Sequence, residues 1–337
     1  MVNLQRETGA GRLLATLEGP VRHTLLMWAL DMDLFNRCCT PVREEELSRS
    51  MNLPERQLGL VLRALVAAGF LEQRGDGFCT AADILPFVAS GSSRNMAETL
   101  RSMVQTRLTG LDQFGALVAG RSVTGHKRLF DDAHWDASHR ALSAFHQALA
   151  AECMVACLTG LPEWGTARDI LEVGAGSAVL ARRLLAKRPD LEITLFDLPP
   201  VAQRIEAEAA GLPLRVWPGS YTQALPEGTF DIIWCSMSLY FHDQGLPELI
   251  GRLSQSLKPG GVLVSFHEAL TDRRTSPPEH VLGRVLPALR QGDVSFTDGE
   301  IAGAMAAAGL VRASHSIHDT PFGRFRLDAA RKNDTHA

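Results

Sequence analysis

The chain lacks several features that would classify it at once. No basic-then-apolar segment opens it, and no apolar run approaches the ~18 residues of a membrane span, which argues against export and against a membrane anchor. Its formal net charge is only −4 over 337 residues, so no global field draws it to nucleic acid or to an anionic bilayer. Cysteine is sparse. Cys38, Cys39, Cys79, Cys153, Cys157 and Cys235 form no C-x-x-C pair, so neither a disulfide scaffold nor a metal-ligand set is legible from spacing. Cys153 and Cys157 are one helical turn apart, a spacing that reads as core packing. The expectation is a reduced, cytoplasmic protein that binds no metal.

Apolar residues are plentiful, at 45%, and the length suits two domains. One stretch organises the second of them. Ile170 to Val173 is a short apolar run that fits a buried parallel strand. Gly174 and Gly176 follow as a tight turn that lets backbone approach a ligand. Ser177 to Lys187 has helical spacing, with Val179, Leu180, Leu184 and Leu185 inward, and Ile193 to Phe196 is a second strand ending on Asp197. A carboxylate there can accept bonds from both hydroxyls of a ribose. NAD shares that acid, but the glycine pattern closes on Ala178 with no further glycine, and Glu172 precedes the turn. A carboxylate at that point repels a pyrophosphate and welcomes a cationic, amine-bearing ligand. S-adenosylmethionine is the better fit.

From Leu171 through Phe196-Asp197-Leu198-Pro199 the sequence resembles the donor-binding motifs of the caffeic-acid-type O-methyltransferases, a family that includes bacterial enzymes of antibiotic and pigment biosynthesis. The resemblance runs from about Arg22 to the last strand. It implies an α/β chain: a Rossmann-like class I methyltransferase domain, with a seven-stranded sheet whose last strand is antiparallel, behind a mainly α winged-helix dimerisation domain. The implied domains are 1–91 for dimerisation, 92–164 as a helical connector lining the acceptor pocket, and 165–337 for catalysis. The implied assembly is a homodimer.

The pattern of the first domain points the same way. Arg22 to Phe35 is richer in apolar residues than one domain face requires, so part of it is expected to pack on another chain. Helices are predicted over Glu44 to Met51 and from Leu53-Pro54 to about Gly69, then two short strands around Gly75-Asp76-Gly77. Such a winged helix invites a DNA-binding reading. The charges between Thr40 and Thr80 oppose it, with five basic residues (Arg43, Arg49, Arg56, Arg63, Arg74) against six acidic ones (Glu44, Glu45, Glu46, Glu55, Glu72, Asp76).

Helical connectors are predicted over Met96 to Leu108 and Ala141 to Leu158. In the resembling family this region lines the acceptor pocket, which makes Met103, Phe145, His146, Leu149 and Met154 acceptor candidates. Taken singly, each reads better as plain helix core, and His146 could orient a polar acceptor. Further strands are predicted at Leu214 to Trp217, Phe230 to Cys235 and Val262 to Phe266, a helix at Thr297 to Gly309 with Thr297 as its N-cap, and a final antiparallel pair at about Ala313 to Ile317 and Phe325 to Ala330.

The donor contacts implied are Glu172, Gly174 and Gly176 for the methionine part, Asp197 and Leu198 for the ribose, Ser220 and Tyr221 beside the adenine, and Ser236 at the end of the fourth strand. Ser220 stands where the family has an acid. The general base is open between two residues. His242-Asp243 matches the family's His-Asp pair in type but lacks the tryptophan that follows it, whereas counting from Asp231 puts Tyr240 at that position. Glu268, after His267 at the end of the fifth strand, matches the glutamate that orients the base. The expected function is transfer of a methyl group from S-adenosylmethionine to a hydroxyl of an aromatic or heteroaromatic small molecule. C- or N-methylation on the same fold, or a S-adenosylmethionine-binding regulator, are the alternatives.

Overall fold

The structure, a computed structural model, describes residues 8–121 and 132–334. It divides into two compact units, Met1–Ala97 and Glu98–Ala337.

In the first unit, helices Glu18–Asp31, Leu34–Arg37, Glu44–Met51 and Glu55–Ala67 surround a small antiparallel sheet. Its strands are β1 (Val42–Arg43), β2 (Leu71–Arg74) and β3 (Gly77–Thr80), in the order β1-β3-β2. The β2–β3 turn needs Gly75, whose φ is +59°. Leu58, Leu62 and Leu65 recur at helical spacing and bury against Ala29, Leu34, Phe35, Leu47 and Phe78. A leucine-rich N-terminal surface remains uncovered: Leu13 is 73% exposed, Leu14 66%, Leu17 68% and Val21 57%.

The second unit is built on a seven-stranded sheet. Its strands are β4 (Asp169–Val173), β5 (Glu192–Asp197), β6 (Leu214–Pro218), β7 (Phe230–Ser236), β8 (Leu257–His267), β9 (Val311–Thr320) and β10 (Gly323–Arg331). The order is β6-β5-β4-β7-β8-β10-β9, with β10 antiparallel to both β8 and β9 and the other pairings parallel. β4 lies between β5 and β7, so the chain winds outward from it in both directions. The crevice beyond the carboxyl ends of β4 and β7 is where such sheets bind ligands. Helices cover both faces, which is why β4 and β7 are buried almost throughout.

Helix Asp132–Phe145 continues through a π-helical turn, His146–Ala150, into helix Ala151–Thr159. The continuous stretch Asp136–Thr159 is long and apolar enough to cross a membrane by length and composition, contrary to the sequence expectation, but 56% of its apolar window is buried within the protein. Its apolar residues serve the core, where Met154, Val155 and Leu158 pack beneath the sheet. The helix expected from Thr297 starts at Glu300 instead, behind Gly299 at φ +78°. The Thr297 amide and hydroxyl both donate to Glu300 Oε2 (2.8 Å each), so Thr297 caps nothing with its side chain.

Candidate active site

The glycine turn after β4 has the shape its composition predicts. Gly174 and Gly176 have φ of +69° and +67°. A Cβ on Gly174 would lie 2.5 Å from Ser238 Cβ, and one on Gly176 would lie 2.3 Å from Leu142 Cδ2, so neither position admits a side chain. Asp197 ends β5 opposite this turn. Its Oδ2 accepts from the Gly176 amide (2.8 Å) and its Oδ1 from the Leu198 amide (2.7 Å). Leu198 itself packs on the apolar core behind.

Glu172 is 5% exposed, and no described residue hydrogen-bonds its carboxylate. Burial, reinforced by the nearby Asp197 charge, pushes its carboxyl well above the usual range. Burial also raises Asp197, although its two amide bonds oppose the rise. Two buried carboxylates thus share a crevice, and among the described residues neither makes an ion pair. Beside them, the hydroxyls of Ser236 and Ser238 are buried without a partner among the described residues. S-adenosylmethionine, which carries a sulfonium and an ammonium, fits this donor set in charge and in hydrogen-bonding demand.

Residues that spacing did not reveal brace the turn. His139 Nδ1 lies 3.0 Å from the Gly176 carbonyl, and its Nε2 is 3.4 Å from Glu208 Oε2. The same carboxylate accepts from the Ala178 amide (3.0 Å) and the Ser143 hydroxyl (2.8 Å). His146 is buried with Nδ1 2.7 Å from Ser177 Oγ, and burial lowers its pKa to about 4. It therefore supports the glycine turn as a neutral ring. The other end of the donor crevice is more local. Ser220 Oγ bonds Thr222 Oγ1 (2.8 Å) and accepts from the Thr222 amide (3.2 Å).

The loop after β7 is held by side chains from two directions. His267 Nε2 accepts from the Ser238 and Leu239 amides (3.0 and 3.2 Å), while its Nδ1 is 2.8 Å from Ser265 Oγ. Accepting at Nε2 requires a neutral ring, and burial lowers the His267 pKa to about 3. The Tyr221 hydroxyl donates to the Ser238 carbonyl (2.8 Å) and accepts from the Phe241 amide (3.1 Å). Immediately before these ties Met237 adopts φ +50°, a strained value for a side-chain-bearing residue.

The loop places Tyr240 on the wall of a cavity of about 370 Å³. Met103, Leu142, Phe145, Met237, Phe322 and Phe325 supply its apolar surface, and Tyr240, Glu268, Arg284, Arg107, Glu279 and His280 are among its polar groups. The Tyr240 hydroxyl donates to Glu268 Oε2 (2.5 Å) and accepts from Arg284 (2.9 Å). Arg284 also pairs with Glu268 Oε1 at 2.8 Å and lies over the Tyr240 ring, 4.6 Å from its centre. Burial and the Glu268 charge raise the Tyr240 phenol well above its ordinary range, so it remains a neutral donor to the carboxylate. Phe296 stacks on the ring at 5.5 Å.

Of the acceptor candidates, Met103 and Phe145 line this cavity. His146 turns to Ser177, and Leu149 and Met154 pack into the core. Of the two candidate bases, Tyr240 lines the cavity. His242, two residues on, is half-buried in the following loop and is not among the lining residues. A cleft of about 420 Å³ at the amino ends of β4, β5 and β7 is lined by Asp169, Glu192 and Arg215. It lies at the opposite end of the strands from the donor crevice.

Residues 170–261 match the family model described as a methyltransferase domain. The chain is 26% identical over 277 residues to the tetracenomycin polyketide synthesis 8-O-methyl transferase TcmO of Streptomyces glaucescens, covering 77% of this chain and 78% of that protein. Human N-acetylserotonin methyltransferase, solved with S-adenosylmethionine, superposes with a TM-score of 0.78 at 19% identity, covering 97% of this chain and 99% of that one. The mitomycin 7-O-methyltransferase MmcR gives a TM-score of 0.72 at 20% identity over 97% and 98%. These solved structures share the class I methyltransferase fold with this chain.

Proposed function

We propose that this chain is a S-adenosylmethionine-dependent O-methyltransferase whose acceptor is a hydroxylated aromatic or heteroaromatic small molecule of antibiotic or pigment biosynthesis. The observation that carries the acceptor assignment is the 370 Å³ cavity with mostly apolar and aromatic walls and the Tyr240–Glu268–Arg284 cluster on one side. That volume suits a molecule of one or a few fused rings. TcmO, a relative named for polyketide synthesis, supports the same acceptor class.

When bound, the cofactor supplies a methyl group activated by a sulfonium. The chain's residues divide the remaining work. Glu172 would take the ammonium of the methionine part, Gly174 and Gly176 would let the backbone approach it, and the Ser236 and Ser238 hydroxyls would supply further bonds. Asp197 would hold the ribose, with Ser220 and Tyr221 on the adenine side. Met103 and Phe145 position the acceptor ring. Tyr240 hydrogen-bonds the acceptor hydroxyl, and as the hydroxyl proton leaves, Tyr240 accepts it and passes its own to Glu268. Arg284 holds the carboxylate and the phenol in register. Alignment of donor and acceptor contributes much of the acceleration. His242 has no part in this arrangement.

The first unit is a winged-helix dimerisation domain, and the enzyme is a cytoplasmic homodimer. The exposed Leu13, Leu14, Leu17 and Val21 support this reading, as does the acidic balance that opposes nucleic acid. The purified enzyme, given methyl-labelled S-adenosylmethionine and a panel of monocyclic and polycyclic phenols, should yield O-methyl ethers by mass spectrometry. Methylation at carbon or nitrogen alone would refute the acceptor assignment.

A further inference from the structure

Away from the acceptor cavity, helix Ala151–Thr159 meets β9, and three soft or borderline ligands converge there. Cys153 and Cys157 come from the helix and His318 from the strand, and their donor atoms all lie within 4.8 Å of one another. Cys157 Sγ is 3.9 Å from both ring nitrogens of His318.

The surroundings of His318 add an independent indication. Its Nε2 is 2.8 Å from Ser316 Oγ, two residues along the same strand. With the Nε2 proton donated to that hydroxyl, Nδ1 is the nitrogen left to bind an ion. Metal-binding histidines are oriented in this way, by a partner on the nitrogen that does not bind the ion. Burial is graded as an entry path requires. Cys157 is 6% exposed, whereas Cys153 and His318 are half-buried.

We propose that Cys153, Cys157 and His318 form a binding site for a thiophilic divalent cation, Zn²⁺ foremost, which clamps helix Ala151–Thr159 to β9 with solvent as its fourth ligand. Two thiolates and an imidazole suit Zn²⁺ and disfavour Mg²⁺ and Ca²⁺, which prefer oxygen. Tetrahedral Zn²⁺, with bonds of about 2.3 Å to sulfur and about 2.0–2.1 Å to nitrogen, sets sulfur–sulfur and sulfur–nitrogen separations of about 3.5–3.8 Å. The donor atoms here lie within 4.8 Å of one another, with Cys157 Sγ 3.9 Å from His318 Nδ1, so they reach that geometry by closing about an ångström or less. Binding displaces the two thiol protons to solvent, so affinity falls as the pH is lowered. None of the three residues lines the acceptor cavity, which makes the clamp structural.

The test is a cobalt titration of the full-length protein, reduced and stripped with chelator. One equivalent of Co²⁺ should produce a thiolate-to-cobalt charge-transfer band with tetrahedral d–d bands. Zn²⁺ should bleach both and raise the Tm. Ser316→Ala should weaken Co²⁺ binding by about 10–100-fold, the usual cost of losing an orienting partner, and His318→Ala by more. Cys39→Ser, which removes an exposed thiol of the first unit, should leave the titration unchanged. Absence of the bands at one equivalent would overturn the proposal, as would bands that persist unchanged in both His318→Ala and Cys157→Ser.

Discussion

Replacing Glu172 by Gln should make the ligand-free enzyme more stable and its donor site weaker. The side chain keeps its shape and loses its charge. In the wild type the carboxylate is 5% exposed, unpaired among the described residues and close to Asp197, so its charged form is held out of water without compensation. Keeping the carboxyl protonated while the unfolded chain ionises costs about 1.4 kcal/mol for each pH unit above the ordinary carboxylate range, a cost that Gln does not carry. Relief of that order should raise the Tm of the ligand-free enzyme by several degrees, at ~2–4 °C per kcal/mol for a unit of this size. The sign of the pH dependence follows from the raised carboxyl. Between the ordinary carboxylate range and its raised value, the folded chain keeps a proton that the unfolded chain has lost, so wild-type stability falls as pH rises through that window. The advantage of Gln should therefore widen with rising pH. With ligand the order reverses, because a charge-assisted bond to the methionine ammonium is worth about 1.5–3 kcal/mol, or roughly 10–150-fold in affinity. Scanning fluorimetry from pH 5 to pH 8 and calorimetry with S-adenosylmethionine measure the two arms. A Gln variant that is less stable without ligand and binds the cofactor normally would refute the charge argument.

Tyr240→Phe should lower kcat by about 10²–10⁴-fold, the range for a proton-transfer group, with cofactor affinity unchanged, whereas His242→Ala should stay within a few-fold of wild type; steady-state kinetics on the true acceptor decide between them. Acid should destabilise the second unit through His267 and His146, whose pKa values fall to about 3 and about 4. The unfolded chain protonates each first, so stability is retained above pH ~6.5 and lost progressively below it at about 1.4 kcal/mol per pH unit for each ring, and His146→Gln should flatten this limb in a urea–pH series. Leu13→Asp with Leu17→Asp should convert a dimer with more than ~2,000 Å² of interface to monomer by light scattering, and an unchanged mass would remove the leucine surface from the interface.

How much of this was legible in the sequence depended on how far apart the relevant residues lie in the chain. Strand, glycine turn, helix and acid are contiguous from Ile170 to Asp197, so periodicity and turn chemistry locate the donor crevice directly. The groups that brace it come from elsewhere: His139 lies 37 residues before Gly176, and Glu208 caps Ala178 from 30 residues beyond it. No local pattern carries that information. Helix Pro278–Gln291, which supplies Arg284, was not anticipated either. It had a start signal in Pro277-Pro278, but Pro287 inside the helix blurs its period. The third ligand of the cysteine pair has the same cause. His318 is 161 residues from Cys157, so the pair alone reads as packing.

The candidate base shows why residue type and chain count disagreed. Type selects His242, because the resembling family uses histidine followed by aspartate. Counting selects Tyr240, and the count is meaningful only if the loop after β7 has no room to slip. The structure supplies that condition. His267 takes two successive amides of the loop, and Tyr221 ties both Ser238 and Phe241, so residues 238–241 are fixed at both ends. The side chain presented to the cavity is then Tyr240, while His242 lies beyond the last tie. The same ties separate His267 from Glu268. His267, at the end of β8, is consumed in holding the loop, and Glu268, one residue later, meets Tyr240 and Arg284. A base at His242 would need that loop loosened, and His280, which does line the cavity, lies with Nε2 2.7 Å from the Arg324 carbonyl. If proton transfer runs instead through a phenol and a carboxylate held by a guanidinium, acceptors with an acidic hydroxyl gain most from this site, because they arrive partly ionised and ask the least of it.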